Sequence, residues 1–332
     1  MIIAEIGQAH EGSIGIAHSY IDALSETGVD AIKFQTHIAE AESSEYEPFR
    51  IKFSHQDKSR YDYWKRMEFN PTQWNDLKSH CDDLGLEFIS SPFSNKAVEI
   101  LEAIGVKRYK IGSGEVSNFL MLERIAQTGK PMIISSGMSS YAELDKTAEF
   151  LHARNVEFSL LQCTTAYPTK PEQWGLNIIQ KLKERYNVPI GFSDHSGDIF
   201  ACLAAAALGA EIFEFHVVFD KKMFGPDSKA SITISQIQKL VKGLREIGTA
   251  IGNPLNKENS DSFSELKDIF EKSLSVNKEL VKGALITFND LEAKKPKGYG
   301  VPSAAYKDVL GRKLNKTLPK WSFLKYEDIS DE

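Results

Sequence analysis

The chain has 332 residues, of which 42% are hydrophobic and 26% are charged, a balance typical of a folded globular protein and not of a disordered one. Its formal net charge of -6 argues against nucleic acid or an anionic membrane as the main partner. Three widely spaced cysteines (Cys81, Cys163 and Cys202) fit neither a disulfide framework nor a zinc motif, and no segment resembles a signal peptide or a membrane span, so we expect a cytoplasmic protein.

Short β-rich runs alternate with longer segments of helical periodicity along most of the chain. Strands are predicted at Ile2–Ile6, Ala31–Gln35, Glu87–Ser91, Arg108–Ile111, Met132–Ser135, Phe158–Cys163, Val188–Phe192 and Ile212–His216. Helices are predicted at Ile16–Glu26, Pro71–Leu84, Lys96–Ile104, Leu120–Thr128, Ala142–Ala153, Leu176–Arg185, Ile199–Leu208 and Ser235–Ile251. Eight such units in about 250 residues predict a (β/α)8 TIM barrel over residues 1–255, with a doubly wound open sheet as the alternative. Polar residues clustered after the strand ends favour the closed barrel.

The connection after the second strand, residues 40–69, is unusually long, charged and aromatic. A long loop on the catalytic face of a barrel is commonly a lid or an oligomer contact. A helical insertion packed on the side of the barrel is an equal alternative.

A polar, proline-containing break at Asn253–Asn256 ends the alternation. We predict a charged linker over residues 256–272 and a small, mainly β domain over residues 273–332. Its short β-like runs are Ser273–Val276, Ala284–Ile286 and Leu291–Ala293. A domain of this size has little core, so we expect a larger neighbour to stabilise it.

Two neighbouring strands, the seventh and the eighth, end in His195 and His216. Imidazoles at adjacent strand ends have the position to share a divalent cation, with Glu5 or Asp227 as nearby carboxylates. The alternative is that each histidine is an ordinary hydrogen-bonded polar residue.

Two lysines, Lys33 and Lys110, lie on the second and fourth strands and are candidates to point into the barrel. A buried lysine is costly unless it meets an anion. Hydroxyl and glycine residues around them suit a ligand that carries both phosphate and carboxylate. The alternative pairs these lysines with Glu5 or Glu115 in structural salt bridges.

The motifs at the strand ends resemble the sialic acid synthase (N-acetylneuraminate synthase) family along nearly the whole chain. The matching fragments are Glu5–Gly7, His10–Ser13, Lys33–His37, Ser90–Ser94, Tyr109–Glu115, Ser135–Met138, Cys163–Thr169, Gly191–His195, His216 and Gly225–Asp227. Each fragment is weak alone, but together and in register with eight strand ends they are specific.

The C-terminal region is similar to the antifreeze-protein-like (SAF) domain of the same family, through Lys278–Gly283, Leu291–Pro296 and Tyr299-Gly300. In that family the domain of one subunit covers the active site of its partner in a swapped dimer. The resemblance therefore implies a domain-swapped homodimer.

The resemblance also implies a role for each matching residue. The metal ligands are His195 and His216, and the ion is Mn2+, with Mg2+ or Co2+ as alternatives. The phosphoenolpyruvate-binding residues are Lys33, Lys110, Ser91, Ser113 and Ser135. The sugar-binding residues are Gln35, Thr165, Tyr167, Ser193 and Lys295. The catalytic residues are Glu5, Asp227 and Glu115, the last as an acid/base group.

The implied reaction condenses phosphoenolpyruvate with an N-acylated aldehyde sugar, such as N-acetylmannosamine or a related 6-deoxy diamino sugar. Its products are a nonulosonic (sialic-acid-like) acid and phosphate, which makes the enzyme a transferase. The alternatives are a synthase for a 6-phosphorylated sugar, which needs a further phosphate site, and a metal-dependent pyruvate aldolase. A carbohydrate-binding protein with a relic barrel is the non-enzymatic hypothesis, and the complete set of lysines, histidines and acids argues against it.

The sequence departs from the family pattern at positions that the resemblance places near the sugar. Ala9 stands where asparagine is common, and Thr165 where asparagine or serine is frequent. Lys295 occupies a position that is usually arginine, so it keeps the charge and loses the planar, bidentate donor. These departures leave the identity of the sugar open.

Overall fold

Parallel β-strands close into a barrel in the part of the chain that the structure, a computed structural model, describes. The barrel strands are β1 (Ile2–Gly7), β2 (Ala31–Thr36), β3 (Glu87–Pro92), β4 (Tyr109–Ile111), β5 (Met132–Ser135), β6 (Phe158–Cys163), β7 (Ile190–Asp194) and β8 (Ile212–Val218). Each strand pairs with the next along the chain, and β1 also pairs with β8, which confirms the predicted TIM barrel. A short strand, β9 (Ile232–Thr233), pairs with the end of β8.

The structure describes residues 1–51 and 53–330. Lys52, within the 40–69 connection, and residues 331–332, at the end of the predicted C-terminal domain, lie outside the described residues. The chain divides into two compact units, Met1–Pro254 and Leu255–Glu332. No helix among the described residues combines the length and the apolar character needed to cross a membrane.

The helices of the first unit follow the barrel strands. They are α1 (Ile14–Ser25), α2 (Ala39–Glu42), α3 (Arg60–Met67), α4 (Pro71–Asp83), α5 (Asn95–Ile104), α6 (Phe119–Ala126), α7 (Tyr141–His152), α8 (Leu176–Tyr186), α9 (Phe200–Ala207) and α10 (Ile234–Gly252). Turns of 3-10 helix lie at Ser113–Glu115, Pro171–Gln173 and Ser228–Ala230. Helix α4 begins at a capping box, in which Asn70 and Gln73 each accept a hydrogen bond from the other's backbone N–H, and Pro71 occupies the first turn.

On five strands, an inward-pointing side chain that is apolar is followed two residues later by one that is polar. The apolar members form one buried cluster, which consists of Ile3, Ala31, Ile89, Ile133 and Leu161. Side chains two positions later share the same face of a strand. Those residues are Glu5, Lys33, Ser91, Ser135 and Cys163. The apolar layer therefore forms a floor, and the polar layer above it lies towards the carboxyl ends of the strands.

The outer face of the barrel packs against the helices. Trp74 on α4 is fully buried, and its ring centroid lies 5.9 Å from that of Phe34 on β2. Burying a side chain such as Phe34 stabilises the fold by about 1.5–3 kcal/mol. This packing fixes the strands and, with them, the polar layer inside the barrel.

The second unit contains helix α11 (Ser264–Phe270) and two antiparallel strands, β10 (Ser273–Val276) and β11 (Leu291–Lys294). Turns of 3-10 helix lie at Asp261–Phe263, Phe288–Asp290, Ser303–Asp308 and Tyr326–Asp328. Its core consists of Leu274, Val276, Leu280, Ile286, Val301, Val309, Leu314, Leu318 and Leu324. The β-like run predicted at Ala284–Ile286 pairs through an isolated antiparallel bridge between Leu285 and Lys313 and does not extend into a full strand.

Candidate active site

A cavity of about 370 Å³ lies at the carboxyl ends of the barrel strands. It brings together every predicted site residue of the first unit. These residues are Glu5, Lys33, Gln35, Ser91, Lys110, Ser113, Glu115, Ser135, Thr165, Tyr167, Ser193, His195, His216 and Asp227. The other predicted residue, Lys295, lies in the second unit, where its ammonium is 4.5 Å from the centroid of the Phe270 ring.

Two buried lysines and two buried glutamates form the inner end of the cavity. Lys33 Nζ donates to Glu5 Oε1 at 2.5 Å and lies 3.7 Å from Glu214 Oε2. Lys110 Nζ lies 3.5 Å from Glu214 Oε1 and donates to Ser135 Oγ at 2.7 Å. Strand register explains the cluster, because Glu5 on β1 is paired directly with Lys33 on β2. The pairing of Lys33 with Glu5 is thus present, while the carboxylate beside Lys110 belongs to Glu214.

The surroundings shift the pKa values of the two lysines in opposite directions. Burial opposes the charge of Lys33, but Glu214 and Glu5 outweigh burial and raise its pKa. At Lys110 burial dominates and lowers the pKa, although Glu214 acts in the other direction. An anion bound between the lysines would add the negative charge that Lys110 lacks, so the arrangement favours an anionic ligand.

Hydroxyl groups surround the lysines and add further donors. Ser91 Oγ lies 3.5 Å from Lys33 Nζ, and Ser113 Oγ accepts a hydrogen bond from Gly137 N at 3.0 Å. A Cβ at Gly137 would stand 2.6 Å from Thr165 Oγ1 and 2.8 Å from Ser113 Oγ. Glycine at this position therefore allows the hydroxyls to approach the cavity wall closely.

The two predicted metal ligands lie beside one another. The ring centroids of His195 and His216 are 5.3 Å apart. His195 Nδ1 lies 3.0 Å from the Thr164 carbonyl oxygen, so Nδ1 carries a proton and Nε2 is the nitrogen that would bind a metal. Burial lowers the pKa of His195, but Cys163 and the Thr164 carbonyl outweigh burial and raise it to about 9, so a metal would have to displace the proton on Nε2. Burial lowers the pKa of His216, with Glu5 acting in the other direction, and so favours the neutral form that binds metals.

The donor atoms fit a divalent ion in kind, and one pair of them also fits in spacing. His216 Nε2 lies 3.3 Å from Glu5 Oε2. Two ligand atoms that are each about 2.1 Å from one ion, at about 90–110° to each other, are about 3.0–3.4 Å apart. Among the described residues no group of three or more His, Cys, Asp or Glu side chains has the spacing of a complete metal site. The structure thus supplies two imidazoles and one carboxylate as candidate ligands, with Glu5 still bound to Lys33.

Glu115 lies on the 3-10 turn that follows β4, half-buried at the cavity wall. Asn118 Nδ2 donates to its Oε2 at 2.7 Å. Burial raises the pKa of Glu115, although the hydrogen bond from Asn118 opposes the rise. A carboxylate with a raised pKa is a stronger base, which suits a group that carries a proton.

The predicted sugar-binding residues lie around the histidines. The Tyr167 ring centroid is 4.2 Å from that of His195, and Gln35 Nε2 donates to Glu5 Oε1 at 2.6 Å. Ser193 Oγ donates to Glu214 Oε1 at 2.9 Å, so this hydroxyl is directed at the lysine cluster.

Sequence reasoning did not assign a role to several residues that line the cavity. Glu214 had a detectable signal, because it lies two positions before His216 and therefore shares its face of β8. The 40–69 connection contributes six more, for which no periodicity gave a signal. They are Glu42, Glu47, Arg50, Arg60, Tyr63 and Trp64. This connection contains α3, so it is a helical insertion that also forms part of the cavity wall.

Comparison with known proteins gives consistent matches. Residues 20–256 match the model of a family described as the NeuB family. Over 322 residues the chain is 32% identical to the N,N'-diacetyllegionaminic acid synthase of Campylobacter jejuni, covering 95% of this chain and 96% of that protein. It is 33% identical to the N-acetylneuraminate-9-phosphate synthase of Homo sapiens, covering 96% of this chain and 89% of that protein. The crystal structure of an N-acetylneuraminic acid (sialic acid) synthetase from Leptospira borgpetersenii in complex with citrate matches with a TM-score of 0.71 and 32% identity, covering 80% of this chain and 89% of that chain.

Proposed function

The chain belongs to the NeuB family, as the motif resemblance predicted, and we propose that it condenses phosphoenolpyruvate with an N-acylated aldehyde sugar. The products are a nonulosonic acid and phosphate, and the enzyme is a C–C bond-forming transferase. The observation that carries this function is the pair of buried lysines, Lys33 and Lys110, in a cavity that also holds His195 and His216. A doubly anionic donor and an aldehyde acceptor each find suitable groups there.

Phosphoenolpyruvate binds at the inner end of the cavity. Lys33 and Lys110 neutralise its phosphate and carboxylate, and the hydroxyls of Ser91, Ser113 and Ser135 donate further hydrogen bonds. Because four of these donors lie on four different strands of the barrel and Ser113 lies on the turn after β4, they hold the enol carbon in one orientation.

The acceptor aldehyde lies beside the histidine pair. His195 and His216, with Glu5 nearby, would hold a divalent ion, which we propose to be Mn2+, with Mg2+ or Co2+ as alternatives. Such an ion would act as a Lewis acid on the aldehyde oxygen. Gln35, Thr165, Tyr167, Ser193 and Asp227 surround this position and orient the sugar.

The reaction forms one C–C bond and exchanges one C–O bond, because a C–O bond to water forms and the C–O bond to phosphate breaks. The enol carbon of phosphoenolpyruvate attacks the aldehyde carbon, water adds to the resulting cation, and phosphate leaves with its bridging oxygen. Glu115 accepts the first proton that the water loses, and the alkoxide formed from the aldehyde gains a proton. The second proton of the water leaves with the phosphate as the keto group forms, so protons balance over the cycle. Electrostatic stabilisation by Lys33 and Lys110 lowers the barrier to loss of phosphate.

Two copies of the chain form a homodimer under this proposal. The family resemblance supports an exchange in which the second unit, with Lys295, serves the partner's cavity. The small core of that unit agrees with a need for a larger neighbour.

A cytoplasmic location also belongs to the proposal. Its support is that Cys81, Cys163 and Cys202 are all buried free thiols, as expected in a reducing compartment.

The test is phosphate release from phosphoenolpyruvate in the presence of Mn2+, across a panel of N-acylated hexosamines and their 6-phosphates. Release that depends on one sugar and stops with a chelator supports the proposal. Condensation of free pyruvate with the same sugars, without any phosphate, would instead identify an aldolase. No release with any acceptor in the panel would overturn the proposed activity.

A further inference from the structure

One histidine of the strand-end motifs has no part in the proposed reaction. His37 follows β2 directly and belongs to the alternating series Lys33, Gln35 and His37, which shares one face of the chain. Its side chain is only 3% exposed, yet it lines the same cavity as the other two members of the series. His37 is therefore part of the wall of the site, with a ring that is almost closed off from solvent.

The His37 ring is held between two other aromatic rings. It stacks on Trp64 with 3.8 Å between centroids and 19° between planes, and on Phe93 with 4.5 Å and 13°. Trp64 lies on α3 in the 40–69 connection, and Phe93 follows β3. Stacking on both faces leaves only the edge of the ring, where the two nitrogens lie, to meet polar groups. Packing thus fixes the plane of the imidazole.

Both nitrogens of this ring face oxygen atoms. Nδ1 lies 2.6 Å from Glu42 Oε1 on α2, and Nε2 lies 3.1 Å from Gln35 Oε1. Since a carboxylate oxygen and an amide oxygen are both acceptors, the ring donates to each, as an imidazolium paired with the Glu42 carboxylate does. The side chain of Gln8 also meets this edge, with its Nε2 3.4 Å from His37 Nε2.

These contacts fix the orientation of the Gln35 amide. Its oxygen accepts hydrogen bonds from Gln8 Nε2 and His37 Nε2, so its nitrogen points the other way and donates to Glu5 Oε1 at 2.6 Å. A flipped amide would place its N–H groups against the donors of Gln8 and His37, and its oxygen against a carboxylate. The amide therefore holds Glu5 because its oxygen has donors on the other side.

The two oxygens of Glu5 have different surroundings. Oε1 accepts from Lys33 Nζ at 2.5 Å and from Gln35 Nε2, while Oε2 lies 3.3 Å from His216 Nε2. With both close donors on Oε1, Oε2 is the oxygen left for an ion beside His216. Carboxylate ligands depend on such hydrogen bonds for their orientation. The bond from Gln35 thus helps to determine which oxygen of Glu5 faces the candidate metal position.

We propose that His37 is a positioning residue that holds Gln35, and through Gln35 the Glu5 carboxylate, in the orientation that binds the divalent ion. The inference rests on the proposed function, because it takes Glu5 as a ligand of the ion beside the two histidines. In this role His37 acts through Gln35 and touches neither the ion nor a substrate. It also gives the inserted segment a part in the site, since Glu42 and Trp64 hold the ring that orients Gln35.

The experiment measures Mn2+ binding, without any substrate, from the free-ion signal in electron paramagnetic resonance. His37→Phe keeps an aromatic ring between Trp64 and Phe93 and removes both nitrogens, whereas His37→Gln removes the ring and keeps an amide N–H as a donor to Gln35. Gln35→Met removes the amide that the proposal places between the two residues. The matched control is His55→Phe, the same substitution at an exposed histidine of the 40–69 connection.

His37→Phe should raise the dissociation constant of Mn2+ by about tenfold, and Gln35→Met should raise it by about ten- to a hundredfold. His37→Gln should stay within a few-fold of the wild type, and His55→Phe should match the wild type. Wild-type affinity in His37→Phe, or a loss in His37→Gln that His37→Phe does not share, would assign the ring to packing alone and overturn the proposal.

A double variant separates positioning from a general structural role. If His37 acts only through Gln35, adding His37→Phe to Gln35→Met should lower Mn2+ affinity no further, and additive losses would overturn the proposal. Circular dichroism checks the fold of each variant. If His37→Phe does not fold, His37→Gln decides: affinity near the wild type supports the proposal, and affinity as low as that of Gln35→Met contradicts it.

Phosphate release distinguishes this inference from the proposed function. If the variants bind Mn2+ like the wild type, and the wild type releases phosphate with one sugar, the positioning role fails and the function stands. If no sugar gives release but the Mn2+ affinities follow the expected pattern, the function fails and the positioning role stands. A wild type that binds no Mn2+ overturns the positioning role whatever its activity.

Discussion

Lys33 and Lys110 face the two oxygens of a single buried carboxylate. Glu214 Oε2 lies 3.7 Å from Lys33 Nζ, and Glu214 Oε1 lies 3.5 Å from Lys110 Nζ. At these distances the carboxylate balances part of the charge without forming a close hydrogen bond to either ammonium. Both lysines therefore keep donors for an anionic substrate, while the protein without substrate avoids two uncompensated buried charges.

Replacing Lys110 by methionine should weaken the binding of phosphoenolpyruvate. The variant loses a charged donor at the inner end of the cavity, so we expect KM for phosphoenolpyruvate to rise by about ten- to a hundredfold. Steady-state kinetics at saturating acceptor measures the change. The control is Lys107→Met, which removes an exposed lysine three residues earlier in the chain. An unchanged KM and kcat in Lys110→Met would remove this residue from the anion site.

The pH dependence of phosphoenolpyruvate binding should report the charge of Lys110. Binding needs the protonated lysine, whose pKa burial lowers. The value of kcat/KM for phosphoenolpyruvate is therefore maximal below the pKa of Lys110 and falls as the pH rises through that pKa. This decrease occurs at a lower pH than an ordinary lysine would give. Because Glu214 raises the pKa of Lys110, Glu214→Gln should move this alkaline limb to a still lower pH.

The control for the pH profile is Glu246→Gln, which neutralises an exposed glutamate on α10. It should leave the alkaline limb where the wild type has it. If Glu214→Gln and the wild type lose kcat/KM at the same pH, Glu214 does not set the charge of Lys110.

The two histidines should determine metal content. His195→Ala and His216→Ala each remove one of the two imidazoles, so we expect loss of bound Mn2+ and of metal-dependent turnover with the fold retained. Elemental analysis after metal loading and circular dichroism measure the two properties. His152→Ala, at an exposed histidine on α7, is the control. Normal metal content in either active-site variant would show that the ligand assignment is wrong.

The sequence predicted the barrel because its signals are local and repeated. Each strand is a short apolar run, and helix α4 begins at the cap residue Asn70, which is followed by Pro71 in the first turn. The segment Ala284–Ile286 shows the limit of this reasoning. A short apolar run bears the same signal whether it forms a full strand or, as here in the small second unit, an isolated bridge at Leu285.

The part of the candidate site whose residues are positioned by strand register was predictable from the sequence, and the rest was not. Glu5, Lys33 and His216 lie side by side because β1 pairs with both β2 and β8, and strand-end motifs contain all three residues. Arg50 and Arg60 reach the cavity from an insertion whose path depends on tertiary packing. No period in the sequence places such residues, so only the structure brings them to the site.

Alanine substitutions at two glycines should change the stability of the protein in opposite directions, because one glycine is tightly packed and the other has free space around it. A Cβ at Gly191 on β7 would stand 2.3 Å from the Ile212 carbonyl oxygen and 2.4 Å from Leu161 Cδ2, so Gly191→Ala should destabilise the first unit by at least about 1–3 kcal/mol. Gly248 lies exposed on α10 with nothing within 4 Å of its added Cβ. Gly248→Ala should stabilise the protein by about 0.5–1 kcal/mol. Thermal unfolding midpoints measure both, and equal shifts would contradict the packing described for the barrel.

Glu115 should affect turnover more than substrate binding. If its carboxylate accepts the proton of the attacking water, Glu115→Gln lowers kcat by about a hundredfold or more and leaves KM for phosphoenolpyruvate within a few-fold of the wild type. The ionised form is the active one, so kcat of the wild type is full at higher pH and falls as pH drops through the pKa of Glu115. Burial raises that pKa, which places the acidic limb above the range of an ordinary glutamate. The Gln variant should lack this limb, whereas Glu246→Gln should keep it. A Glu115→Gln enzyme with wild-type kcat and an intact acidic limb would assign the proton transfer to another group.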